Sequence, residues 1–98
     1  MNNEIVLKGL IEAFLFSSPQ PVSIEELTKV TRSDHDRVEK ELFELMEEYR
    51  LRQSAVFIRR VAGNWQMAVR PEYGNHLKEY AKIAVKKGIS QAAMEVLA

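Results

Sequence analysis

The hydrophobic period of this chain changes at Ala55, and that change restricts the fold more than any other feature. Up to Arg52 the apolar residues recur at helical spacing. From Val56 they alternate at the strand period. The stretches Val56 to Val61 and Trp65 to Val69 flank Gly63-Asn64, a dipeptide suited to a two-residue hairpin turn. That turn sets Ala62 opposite Trp65 and Arg60 opposite Met67. One face of the hairpin then carries Val56, Ile58, Trp65, Met67 and Val69. The other carries Phe57, Arg59, Val61, Gln66, Ala68 and Arg70.

Before the hairpin, three helices are expected. The first runs from Glu4 to Phe16 and is entered from Asn2 or Asn3. Ser17-Ser18-Pro19-Gln20-Pro21 ends it, because proline removes a backbone donor and restricts the residue before it. Ser23-Ile24-Glu25-Glu26 has the form of a capping box, opening a short helix to about Val30. Ser33-Asp34-His35-Asp36 opens a third helix to about Arg52, with the stripe Val38, Leu42, Leu45, Met46 and Tyr49 facing a core. After the hairpin, Pro71 suits a first helical position and Glu72 the positive pole of the helix dipole. The stripe Tyr73, Leu77, Tyr80, Ala81 and Ala84 follows, then Lys86 and Lys87 at the negative pole and Gly88 as the stop. Three helices, a hairpin wing and a following helix describe an α+β, mainly helical fold, the winged helix-turn-helix. It occupies residues 1–88. Ser90 caps a further helix with no stop signal, so residues 89–98 are expected to open a helix that the natural chain extends. A fold of this kind does not by itself assign a function.

Composition excludes several classes. The 98 residues contain no cysteine and two histidines, so neither a disulfide framework nor a thiolate zinc site is expected. No apolar run reaches the ~20 residues of a membrane span. No signal-type start is visible. The expected protein is soluble and cytoplasmic, takes no cofactor and is not an enzyme. No phosphate loop or catalytic motif occurs, and His35 and His76 lie at solvated helix positions. Seven acidic residues between Asp34 and Glu48 lack the spacing of a calcium loop.

The formal net charge of 0 conceals a gradient. Residues 1–49 hold 5 basic and 11 acidic side chains, and residues 50–98 hold 9 basic and 3 acidic. This matters because winged helices commonly read DNA with the start of the third helix. Here Asp34 to Glu44 sets 5 acids against 2 bases, and phosphates would be repelled. A wing-led contact through Arg59, Arg60 and Arg70 is the remaining DNA reading, that of a winged-helix transcriptional regulator. Direct DNA binding is expected to be weak or absent.

Association is the other reading. The first helix has one polar row, Glu4, Lys8 and Glu12, and apolar residues over a far wider arc than one core contact requires. Either it is sandwiched within the domain, or one flank meets a partner. Phe43 falls off the stripe of its helix, and Phe57 and Val61 occupy the outer hairpin face. The interface candidates are therefore Ile11, Leu15, Phe16, Phe57 and Val61.

Ile11-Glu12-Ala13-Phe14-Leu15-Phe16-Ser17-Ser18 followed by Pro21-Val22-Ser23-Ile24-Glu25-Glu26-Leu27 resembles the opening of the segregation and condensation protein B family. Val61-Ala62-Gly63-Asn64-Trp65-Gln66-Met67 with Arg70-Pro71-Glu72-Tyr73 is similar to a later part of it, and Ile89 to Ala98 to the start of its second domain. Phe43, where a polar residue is expected, and Asn64, where a second glycine is usual, depart from the pattern. The resemblance implies a non-enzymatic, nucleoid-associated subunit of a bacterial condensin-like complex, forming homodimers largely through its N-terminal domain. It also implies binding to the kleisin subunit, largely through the second domain, and through the kleisin to the structural-maintenance-of-chromosomes ATPase.

Overall fold

A computed structural model describes residues 4–87. The elements follow the expected order: α1 (Leu7–Ser17), α2 (Ile24–Thr31), α3 (His35–Leu51), β1 (Val56–Val61), β2 (Asn64–Val69), a 3-10 turn (Pro71–Tyr73) and α4 (Gly74–Lys86). The expected Asn2 or Asn3 cap, the Gly88 stop and the helix after Ser90 lie outside the described residues.

The two internal helix starts form as their side chains dictate. The Ser23 hydroxyl accepts from the Glu26 amide at 3.0 Å, and the Glu26 carboxylate accepts from the Ser23 amide at 3.3 Å, closing the capping box. The Asp34 carboxylate accepts from the Arg37 amide at 2.9 Å. Arg32 ends α2 in the left-handed region at φ 55°, turning the chain toward α3. The first helix begins later than expected. Glu4, Ile5 and Val6 stay outside it, with Val6 extended at φ −96° and offering no side-chain cap. Two adjacent β-branched residues, Ile5 and Val6, are a poor helix start.

The three helices pack around one core. α1 lies on α3 and α2, and the hairpin closes the remaining side through β1 on α3 and β2 on α1. Ile11, Leu15, Leu27, Val38, Leu42, Leu45, Ile58 and Trp65 are all buried in it. Trp65 meets Phe43 edge-on with ring centroids 5.0 Å apart, and the Arg60 guanidinium sits 4.5 Å from the centre of its ring. Phe43 is thus the rim of the core, half in solvent, which accounts for an aromatic residue off its helix stripe. The hairpin is also anchored from outside the sheet. Val22 and Trp65 exchange backbone bonds of 2.7 and 2.8 Å, so the segment between α1 and α2 adds one rung to β2.

The hairpin register corrects the expected one. Val61 pairs with Asn64, Arg60 with Trp65 and Ile58 with Met67. The turn residues are Ala62 and Gly63, at φ 51° and 82°, both left-handed as a primed turn requires. The slip moves two residues relative to their partners, which preserves every face assignment because the side-chain period is two. Its cost is an alanine in the left-handed region, and its gain is Arg60 set opposite Trp65. Ala62→Gly is expected to relieve that cost and raise stability by about 0.5–1 kcal/mol, measured by urea unfolding. A lower midpoint would show that the alanine is not strained.

The last expected helix forms in two pieces, with Pro71 opening the 3-10 turn before α4. Its apolar stripe is less buried than its spacing suggests. Only Ala84 is buried, and Tyr73 and Tyr80 are largely exposed. The reason is that α4 packs chiefly on the turn preceding it rather than on the three-helix core.

Candidate association surface

The first helix resolves the alternative its wide apolar arc posed. One side of it is packed within this domain and the opposite side is exposed. Ile11 and Leu15, expected at an interface, are 0% and 2% exposed and belong to this domain's own core. This corrects their assignment: with α3 and β2 packed over them, they have no surface left to offer a partner. Phe16 is the reverse case, 72% exposed. It lies on the side of α1 away from the core, and Val6, Gly9 and Ala13 share that side at helical spacing. Val6 is 59% exposed, and Gly9 and Ala13 are exposed as well. The row Val6, Gly9, Ala13, Phe16 carries no charge. Sequence reasoning missed Val6, Gly9 and Ala13; their i, i+3, i+7, i+10 spacing was the available signal.

The polar row of α1 points elsewhere. The Lys8 ammonium lies 2.9 Å from Glu48, 3.3 Å from Glu44 and 4.0 Å from Glu41, all on α3. The hydrogen bond to Glu48 is the main reason its pKa is raised, with Glu44 adding to it and desolvation opposing. The Tyr49 hydroxyl donates to Glu12, and burial first, then this carboxylate, push the phenol pKa up. Lys8 and Glu12 thereby engage α3 and lie apart from the uncharged row. The ion pairs are exposed, so their direct contribution to stability is small.

Phe57 and Val61 lie on the outer hairpin face as expected, and both are half-buried. Phe57 is covered in part by Arg70, whose guanidinium lies 5.7 Å from its ring centre.

The three wing arginines are each engaged within the chain. Both Nε and Nη2 of Arg59 donate to the Gln66 side-chain oxygen, at 3.1 and 2.9 Å. Arg60 donates to the Gly63 carbonyl at 3.0 Å while covering Trp65. Arg70 donates to the Ser54 carbonyl while covering Phe57. A phosphate would have to compete with these partners, on a domain whose third helix is acidic.

Among the described residues, no group of three or more His, Cys, Asp or Glu could hold a metal ion. Nor is any helix among them long and apolar enough to cross a membrane.

Residues 9–98 match the family described as segregation and condensation complex subunit ScpB. The chain belongs to this family. Segregation and condensation protein B of Acetivibrio thermocellus is 33% identical over 93 residues, covering 94% of this chain and 47% of the relative. Its counterpart in Alkaliphilus oremlandii is 32% identical, covering 94% and 50%. The chain therefore spans about half the length of the curated relatives it matches. Two crystal structures of ScpB proteins share the fold. One, from Mycobacterium tuberculosis, superposes with a TM-score of 0.75 at 24% identity, over 94% of this chain and 59% of that one. The other is a dimer of an ScpB N-terminal domain complexed with an ScpA peptide. It gives a TM-score of 0.68 at 20% identity, over 74% of this chain and 91% of that one. The α+β winged-helix architecture expected from the change of period is the architecture of these ScpB structures.

Proposed function

We propose that this chain is the dimerising winged-helix module of a chromosome segregation scaffold, acting in the cytoplasm at the nucleoid. It works by association and performs no chemistry. In the whole protein it serves a bacterial condensin-like complex, binding the kleisin subunit and, through it, the structural-maintenance-of-chromosomes ATPase. Much of the kleisin contact belongs to a second domain, which begins at residues 89–98. The observation that carries the reading is the uncharged outward row of α1, in a chain of which 29% is charged. The dimer formed by a related N-terminal domain supports it. Of the residues expected at the interface, Phe16 is the anchor. Phe57 and Val61, already half-buried, have less surface to gain and serve at most as flanking contacts.

Apolar burial at a two-fold contact counts each side chain twice. Phe16→Asp is therefore expected to weaken self-association by about 100-fold or more, a hot-spot effect of ~2.7 kcal/mol or above. Sedimentation velocity across micromolar concentrations reads this directly. A wild-type chain that stays monomeric at high micromolar concentration counts decisively against the proposal. In the same samples, duplex DNA is expected to bind no more tightly than the micromolar, salt-sensitive level of non-specific contacts. Tight, sequence-dependent binding would instead favour the regulator reading through Arg59, Arg60 and Arg70.

A further inference from the structure

We infer that two copies of this chain meet through antiparallel α1 helices, with Gly9 of each facing Ala13 of the other and Val6 facing Phe16. This register rests on the dimer reading above and gives it a geometry.

Three observations select it. First, a two-fold axis perpendicular to a helix makes the two copies antiparallel and self-complementary, so a residue pair used once is used twice. Gly9–Ala13 and Val6–Phe16 are centred on the same point of the helix, so one axis satisfies both pairs. Second, the small residues fall at the centre, where the backbones must approach, and the large ones fall outside. Third, α1 leaves its own poles uncompensated: no acidic side chain lies in its first turn, no basic one in its last, and Val6 supplies no cap. An antiparallel neighbour sets the positive pole of each helix beside the negative pole of the other. A parallel pairing would set like poles together.

Area sets the expected strength. Ile5, Val6 and Phe16 are 78%, 59% and 72% exposed. At about 100 Å² for a fully buried apolar side chain, the six copies in a dimer contribute roughly 400 Å². Specific, stable interfaces begin near ~1,200 Å² in total. Gly9, Ala13, Leu10 and the flanks must supply the rest, so a dissociation constant in the micromolar range is expected for this chain alone.

The absence of cysteine makes the test clean. Single-cysteine variants V6C, G9C, A13C and F16C are mixed in pairs and treated with an oxidant or a short bis-maleimide. Disulfides demand close Cα positions, so only facing residues couple. V6C with F16C, and G9C with A13C, are expected to cross-link efficiently, while V6C and F16C alone give little homodimer. The second pair keeps the test informative if losing Phe16 weakens the dimer. Cross-linking dominated by F16C with itself, or by F16C with G9C, overturns the register. If sedimentation still finds a dimer of the wild-type chain, the dimer reading stands and only the register has failed. If it finds a monomer, both fail together.

Discussion

Trp65→Ala is expected to destabilise the domain by about 3–5 kcal/mol, the range for removing a large aromatic from a packed core. Trp65 is 1% exposed, and its loss reaches beyond a cavity. Phe43 loses the ring it meets edge-on, and Arg60 loses the face it covers. Both would then present their surfaces to solvent or collapse inward. A domain of this size has about 5–15 kcal/mol of stability in all, so the loss takes between roughly a fifth and the whole of the margin. Thermal unfolding followed by far-UV circular dichroism is expected to shift down by roughly 20 °C. A shift of only a few degrees would mean that the three side chains are not one packed unit.

The same substitution at two neighbouring positions on α1 is expected to have opposite consequences. Ile11→Asp removes a fully buried side chain, worth about 2–5 kcal/mol, and buries a carboxylate with no partner. The sum is about 5 kcal/mol or more, and the melting temperature is expected to fall by roughly 20 °C or more. Phe16→Asp places its charge on a side chain that is already 72% exposed, so the melting temperature should stay within a few degrees of wild type. Its effect should appear only in self-association. Measuring melting and sedimentation on both variants separates folding from assembly. An Ile11→Asp chain that folds normally and merely becomes monomeric would return Ile11 to the interface.

Much of the fold was legible because local chemistry and burial agreed. Ser23 with Glu26, and Asp34, start helices by bonds the sequence displays directly. Val38, Leu42 and Leu45 are buried where their spacing puts them. The hairpin faces were legible, but its register was not: Gly63-Asn64 is the better isolated turn, and only tertiary context makes the left-handed Ala62 worthwhile. The surface was harder to read. Ile11, Leu15 and Phe16 are equally apolar in sequence, and what separates them is the rotation of α1. That rotation buries Ile11 and Leu15 against α3 and β2, and is accompanied by Lys8 reaching three glutamates on α3 and by Glu12 meeting Tyr49. These contacts lie far apart in the chain, and no local pattern encodes them. The stripe of α4 shows the opposite failure, an amphipathic helix whose apolar side the described core does not reach.

The pair of backbone bonds between Val22 and Trp65 makes the wing a keystone rather than an appendage. It joins a residue ahead of the second helix to one beyond the third, so neither the helices nor the hairpin closes its share of the core alone. Such a domain melts as one cooperative unit, and a break in the loop after α3 would liberate no stable three-helix fragment. The ring closed by those bonds is expected to form late in folding, because it costs loop entropy before the core rewards it. Whatever surface α1 presents to a second copy therefore exists only after the wing has docked, so assembly is gated by complete folding of each chain.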